Sequence, residues 1–174
     1  PLFEPGLDDL LQAGVANGKL KFSTLPALAF EGAEVLLVAF DTPVDDEDQA
    51  DVAFVQDQIQ VVLPFLAVGA VVLVSSQMPV GSIRKLEAFA QQNLPAKNLD
   101  FACSPENLRL GKALDVFLKP DRIVVGVRND RTRQVLEKLL SPITDKVEWM
   151  SVESAEMTKH AINAFLATSV PFAN

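Results

Sequence analysis

Apolar residues recur along this chain in two rhythms, one helical and one continuous, and the two alternate. In "EPGLDDLLQAGVANGK" (4–19) a proline suited to a first helical turn precedes Leu7, Leu10, Leu11 and Val15 at helical intervals, and Gly18 supplies a stop. "LKFST" (20–24) reads as a short strand, and "AEVLLVAF" (33–40) as a second with the unbroken apolar character of a strand covered on both faces. Val52, Val55, Ile59 and Val62 form the stripe of the next helix, which Pro64 ends. "AVVLVSS" (70–76) is again a buried strand, and Ile83, Leu86 and Phe89 mark the helix after it. "LDFAC" (99–103), "DRIVVGV" (121–127) and "VEWM" (147–150) complete the strands, with a helix at "DRTRQVLEKLL" between the last two. Strands alternating with helices of this length predict parallel βα units in a doubly wound α/β sheet, with no internal repeat and no low-complexity linker.

In a parallel sheet the carboxyl ends of the strands share one edge, and ligands bind outside it. Polar residues stand at three such ends: "DTP" (41–43), "SSQMPVG" (75–81) and "SPENLRLG" (104–111). Within the third, Glu106 follows Ser-Pro where the backbone leaves an apolar strand. Taken alone it reads as a cap or solvating charge for "NLRLGKAL"; with the other two ends beside it, a site at that edge gains weight.

The last segment, "SVESAEMTKHAINAFLATSVPFAN", places Ala155, Met157, Ala161, Ile162, Ala164, Phe165 and Leu166 around most of a helical circumference, which predicts a largely buried helix. The remaining sector holds Glu156, Lys159, His160 and Asn163. Spacing alone leaves open whether that strip faces water or the strand edge, where Lys159 and Asn163 would add a cation and an amide to the same pocket as Glu106.

The chain has 174 residues, 49% of them hydrophobic and 22% charged, which fits one domain with a sizeable core. A net charge of -8 with no long Lys/Arg run argues against a nucleic-acid partner. Cys103 and His160 are each the only one of their kind, so no internal disulfide and no multi-cysteine metal site is expected, in keeping with a reducing cytoplasm. The longest apolar run, 61–74, is broken by Pro64 and Gly69 and falls short of the roughly 18–20 residues of a membrane span. No membrane association is expected.

With those residues in place, the chain closely resembles the UDP-glucose/GDP-mannose dehydrogenase family of NAD-dependent nucleotide-sugar oxidoreductases. The motifs that carry the resemblance are "PLFEPGLDDLL", "DTPVDDEDQADV", "MPVGS", "SPENLRLGKALDVFLKPDRIVVG" and "SAEMTKHAINAFLAT", spread over essentially the whole chain. The resemblance implies an incomplete Rossmann-like NAD-binding domain over 1–150 and the start of a long central dimerisation helix over 151–174. It places the family's glycine fingerprint upstream of this chain and its nucleophilic cysteine downstream.

Residue by residue, the resemblance implies that Glu106 is the base that activates water to hydrolyse a thioester. Lys159 and Asn163 fall on the family's Lys-x-x-x-Asn pair, which stabilises a developing oxyanion. Thr42, Pro43, Ser76 and Gln77 fall beside the cofactor NAD, and Asn107, Leu108 and Arg109 on the substrate side. Three departures stand out: Leu110 replaces the family's second Glu, Asn107 its Phe, and Ser75, Ser76 and Gln77 its Lys-Ser-Thr. Cys103 reads as an apolar filler, and His160 as a surface or interface residue.

The expected function is part of a cytoplasmic enzyme, a homodimer or higher homo-oligomer serving polysaccharide biosynthesis. It would oxidise the C6 alcohol of a nucleotide sugar, UDP-glucose to UDP-glucuronate first among the candidates, to a carboxylate by two hydride transfers. A non-catalytic Rossmann-like binding module, or another hydroxyacid-type dehydrogenase with a Lys-x-x-x-Asn helix, are the alternatives; the latter gives no reason for Glu106.

Overall fold

The computed structural model describes residues 4–47, 49–106, 108 and 111–173, with 170–173 described as backbone alone. Five strands form one sheet in sequence order: β1 (Val35–Val38), β2 (Val71–Val74), β3 (Asp100–Cys103), β4 (Ile123–Gly126) and β5 (Val147–Met150). All four residues of β2 are buried, which is what a strand covered on both faces requires and why its sequence is unbroken valine and leucine. Even-numbered Val72 and Val74 join Leu36, Val38 and Phe101 on one face, while Val71 and Leu73 join Ala102 and Val125 on the other.

Helices cover both faces. α3 (Val52–Val62) and α4 (Ser82–Asn93) lay Val55, Ile59, Ile83, Leu86 and Ala90 on the first, and α6 (Asp130–Leu140) lays Leu136 and Leu140 on the second. The starts of α3 and α6 are fixed by side chains that satisfy orphan amides. Asp51 accepts from Phe54 N at 2.9 Å, and Asn129 accepts from Thr132 N at 2.8 Å.

Two expectations about the sheet are corrected. "LKFST" forms no strand: it follows α1 (Leu7–Ala16), leads into the short α2 (Pro26–Phe30), and Phe22 is exposed. A few apolar residues make a strand only with a ladder partner, and none of the described residues pairs with this segment. Nor do all five carboxyl ends share an edge. β1–β2, β2–β3 and β4–β5 pair in parallel, but β4 joins β3 antiparallel, through Cys103 and Gly126. Among the described residues between them the one helix is α5 (Ala113–Leu118), which has no buried residue and covers no face of the sheet, and the chain doubles back. The edge shared by β1, β2 and β3 remains, and it carries the three polar turns. β1 is a sheet edge, and Leu37 on its second face is 53% exposed.

α7 (Val152–Ala173) packs by its first turns, where Val152, Ala155 and Glu156 are buried, against β3 and β4. Beyond Ala161 it runs past the sheet, with Phe165 72% exposed and Ile162 and Leu166 also open. The expectation of a largely buried helix therefore holds for its beginning alone, because an apolar circumference is buried only where there is something to pack on. Among the described residues no helix is long and apolar enough to cross a membrane.

α7 comes close to the sheet at Gly126. A Cβ there would stand 2.6 Å from Ala155 Cβ, 2.8 Å from Val152 Cα and 2.9 Å from Ser151 O. Two of these neighbours are backbone, so the helix itself would have to retreat. Gly126→Val is expected to destabilise the fold by about 1–3 kcal/mol, read as a lowered midpoint in urea denaturation; an unchanged midpoint would show that the contact is loose.

Candidate functional site

Three strand-end turns are laced together by hydroxyl groups. After β1, Thr42 Oγ1 donates to Gln77 O at 2.6 Å, and Ser76 Oγ donates back to Phe40 O at 2.5 Å. After β2, Ser75 Oγ donates to Ser104 O at 2.8 Å, and Ser104 Oγ in turn donates to Val124 O at 2.9 Å. The first three bonds satisfy carbonyls just past a strand end, and the fourth ties the β3 end to β4, so the edge is a fixed platform. Thr42 and Ser76, expected beside a cofactor, spend their hydrogens on this lacing; Thr42 is half-buried and keeps oxygen lone pairs for a ligand donor, whereas Ser76 is buried. Pro43 and Gln77 are exposed on the same rim.

Glu106 stands on the third turn, and α7 brings Lys159 to it. Lys159 Nζ donates to Glu106 O at 2.9 Å and to Glu106 Oε1 at 3.0 Å, while the second carboxylate oxygen accepts from Leu108 N at 3.2 Å. The pair is partly open to water, with side-chain exposures of 25% for Lys159 and 38% for Glu106. An ammonium has three donors, and two are used here, which leaves one for a ligand oxygen. A narrow cleft lies between the β2 and β3 ends and α7, lined by Val74, Met78, Ile83, Cys103, Pro105 and Lys159.

The expected residues are only partly assembled. Asn163 lies one turn beyond Lys159 on α7 but is exposed, with no hydrogen bond to any described residue. Leu108 is exposed, and Asn107 and Arg109, expected on the substrate side, lie outside the described residues. Cys103 is buried, and burial, with the Glu156 charge added, pushes its thiol up to about 12. It is therefore a neutral packing group at physiological pH, not a nucleophile.

Two residues of the polar strip do more than the sequence reading expects. Glu156, only 6% exposed, accepts from Gly81 N at 2.8 Å and from Ile83 N at 2.9 Å. These amides open α4, which has no side-chain cap of its own and starts from Gly81 at a φ of 91° that favours glycine. A carboxylate from α7 thus caps α4 from outside, favoured by the helix dipole. His160 is half-buried and within reach of Met78 and Gln77, so its contact is with the strand-end turn and not with solvent alone. Helical spacing puts Glu156, Lys159 and His160 on one side of α7, and that side faces the edge.

An ion-pair network holds the start of the same helix. Glu153 accepts from Arg84 of α4 at 2.6 Å and from Arg128, just after β4, at 2.9 Å; Arg128 also binds Glu87 at 2.8 and 3.1 Å. The hydrogen bonds to Glu87 and Glu153 raise the Arg128 guanidinium further above its ordinary range.

A mostly parallel sheet covered on both faces, with polar turns at the carboxyl ends of neighbouring strands, is the doubly wound architecture of dinucleotide-binding proteins. Residues 1–144 match the NAD binding domain of the UDP-glucose/GDP-mannose dehydrogenase family. Over its full length the chain is 32% identical to UDP-glucose 6-dehydrogenase YwqF of Bacillus subtilis, of which it covers 40%. Among solved structures it is similar to a UDP-glucose dehydrogenase of the archaeon Pyrobaculum islandicum, with 30% identity and a TM-score of 0.86 over 99% of this chain and 41% of that one. It is similar also to GDP-mannose dehydrogenase of Pseudomonas aeruginosa, with 25% identity and a TM-score of 0.89 over 100% of this chain and 42% of that one. The chain belongs to the UDP-glucose/GDP-mannose dehydrogenase family, and it spans about two fifths of the length of the relatives it matches.

The family domain implies NAD as cofactor, and the residues present fit one wall of such a site. The laced turns at Thr42–Pro43 and Ser76–Gln77 offer lone pairs, an exposed proline and an exposed carboxamide outside the strand edge. The sequence contains no Gly-x-Gly turn to cradle a pyrophosphate, so that part of the site is not made by these residues.

Arg128, and next Arg84, hold the Glu153 carboxyl well below its ordinary 4.5, at about 2. A depressed carboxyl stabilises the fold above its ordinary value and loses that contribution as pH falls through the folded value. Stability should therefore drop between about pH 4.5 and pH 2. Glu153→Gln should be less stable at neutral pH by on the order of 1 kcal/mol and should show a shallower acid slope. Parallel acid titrations of melting temperature for the two proteins are the check, and coincident slopes would remove the pair from the balance.

Proposed function

We propose that this chain is the NAD-binding half-site of a nucleotide-sugar 6-dehydrogenase, in which Glu106 and Lys159 serve the oxidation of a C6 alcohol to a carboxylate. UDP-glucose is the first candidate substrate, since the relative YwqF is a UDP-glucose 6-dehydrogenase. The observation that carries the reading is the double contact of Lys159 with Glu106, at 2.9 and 3.0 Å. It joins a cation and a general base on a rim where the turns expected to hold a cofactor also end.

Bound NAD supplies the hydride acceptor. The ammonium of Lys159 has a donor left over and can stabilise negative charge on a substrate oxygen. Glu106 is partly solvated, so water can reach it, and its carboxylate can take the proton of that water as it attacks an acyl carbon. Residues 1–150 act as the dinucleotide domain and α7 as the start of a helix that bears an apolar surface beyond Ala161; that surface suits a homodimer contact. In this reading the nucleophilic cysteine lies elsewhere in the whole protein, consistent with the buried, neutral thiol of Cys103.

Glu106→Gln keeps the shape of the site but removes the proton acceptor. The whole protein carrying it should release a burst of NADH and then stall, with an acyl adduct on its cysteine visible by mass spectrometry. Lys159→Ala should slow the first hydride transfer by about 100-fold or more and abolish the burst. Normal steady turnover by the Gln variant would remove Glu106 from the mechanism.

A further inference from the structure

His160 matches no catalytic residue of the family and Gln77 departs from its Lys-Ser-Thr, and the structure places the two against each other. His160 Nε2 lies 3.1 Å from Met78 O, and His160 Nδ1 lies 3.5 Å from Gln77 Nε2. A carbonyl oxygen can only accept, so the Met78 contact requires the proton on Nε2. In the neutral ring Nδ1 is then a bare lone pair, and the group that faces it must donate, which the nitrogen end of the Gln77 carboxamide does. The second contact is at the outer limit of a hydrogen bond, so the Met78 bond fixes the ring and the Gln77 contact orients the amide.

The orientation has a consequence for the rim. With Nε2 turned to His160, Gln77 Oε1 has no hydrogen bond to any described residue, while its backbone carbonyl is already taken by Thr42. The free end of the side chain is an acceptor. It suits a ligand hydroxyl or amide N–H and repels a phosphate oxygen.

We propose that His160 is a positioning residue of the cofactor rim: its Nε2–H tautomer ties α7 to Met78 and holds the Gln77 carboxamide with Oε1 free to accept from a hydroxyl of the dinucleotide. The ligand half of this proposal rests on the dehydrogenase reading; the tautomer half does not. Together with the Glu156 cap, the tie makes the 76–83 turn and the Lys159 side of α7 one rigid piece.

The test uses the whole protein with ¹⁵N-labelled histidine rings, the His160 signals being assigned by their loss in His160→Gln. At a pH that keeps the ring neutral, the expected result is an Nε2–H tautomer with an unprotonated Nδ1, and a shift of the Nδ1 signal in Gln77→Ala. An Nδ1–H tautomer, or the averaged pattern of a free imidazole, would overturn the proposal. In steady-state assays His160→Phe should raise KM for NAD about tenfold, more than it lowers kcat, and His160→Gln should recover much of the loss because its amide can still donate to Met78 O. Equal KM values in the three proteins would overturn the ligand half, and a His160→Phe protein that does not fold leaves Gln77→Ala to decide it by the same KM comparison. A wild-type protein that reduces no NAD with any nucleotide sugar would sink the dehydrogenase reading, with the tautomer result still deciding the tie.

Discussion

A buried carboxylate must find hydrogen-bond partners, and the one on Glu156 finds them on another helix. Leaving such a charge unpaired costs several kcal/mol, so the rotation and register of α7 are fixed by the two first-turn amides of α4. Gly126 makes the approach possible, since any side chain there would meet the backbone of α7. Once these two conditions hold, Lys159 one turn further along can only fall at the β3 end, where Glu106 stands. The candidate chemistry thus depends on a cap that takes no part in it.

The acidic balance of the chain does not conflict with an anionic ligand. The carboxylates on and beside α7 are spent locally, Glu156 on amides, Glu153 and Glu87 on Arg128, and Glu106 on Lys159, while Asp41 of the first turn is exposed. The hydroxyl lacing of the turns adds rigidity without charge. What remains open at the edge is a small set of lone pairs, the Asp41 carboxylate and one ammonium donor, which is the kind of surface that orients a polar ligand and leaves its phosphates to be held elsewhere.

Much of the fold was legible because β2 and helices α3, α4 and α6 have the apolar periods that burial demands. Short elements were not: α2 and α5 are too brief to show a period, and "LKFST" has strand-like residues without a partner. The reversal between β3 and β4 was hidden because strand direction depends on whether the connection covers the sheet, and stretch 104–122 gives no apolar stripe to judge by. The Glu106–Lys159 contact spans 53 positions in sequence; spacing left open whether the two share a pocket, and the family resemblance implied a role for each but no contact. Glu156 as a cap left no local signature, because it caps a helix to which it does not belong. For His160 the one available signal was its place on the polar strip with Lys159.

The docking of α7, through Gly126 and Glu156, is what puts Lys159 on Glu106. Zero-length carbodiimide coupling of the folded whole protein, followed by peptide mass spectrometry, reads that contact directly, since it forms an amide only between an amine and a carboxylate already in touch. The account predicts a Glu106–Lys159 cross-link in the wild type that is strongly reduced in Glu156→Ala. A cross-link of equal yield in both proteins, or none in the wild type, would contradict it.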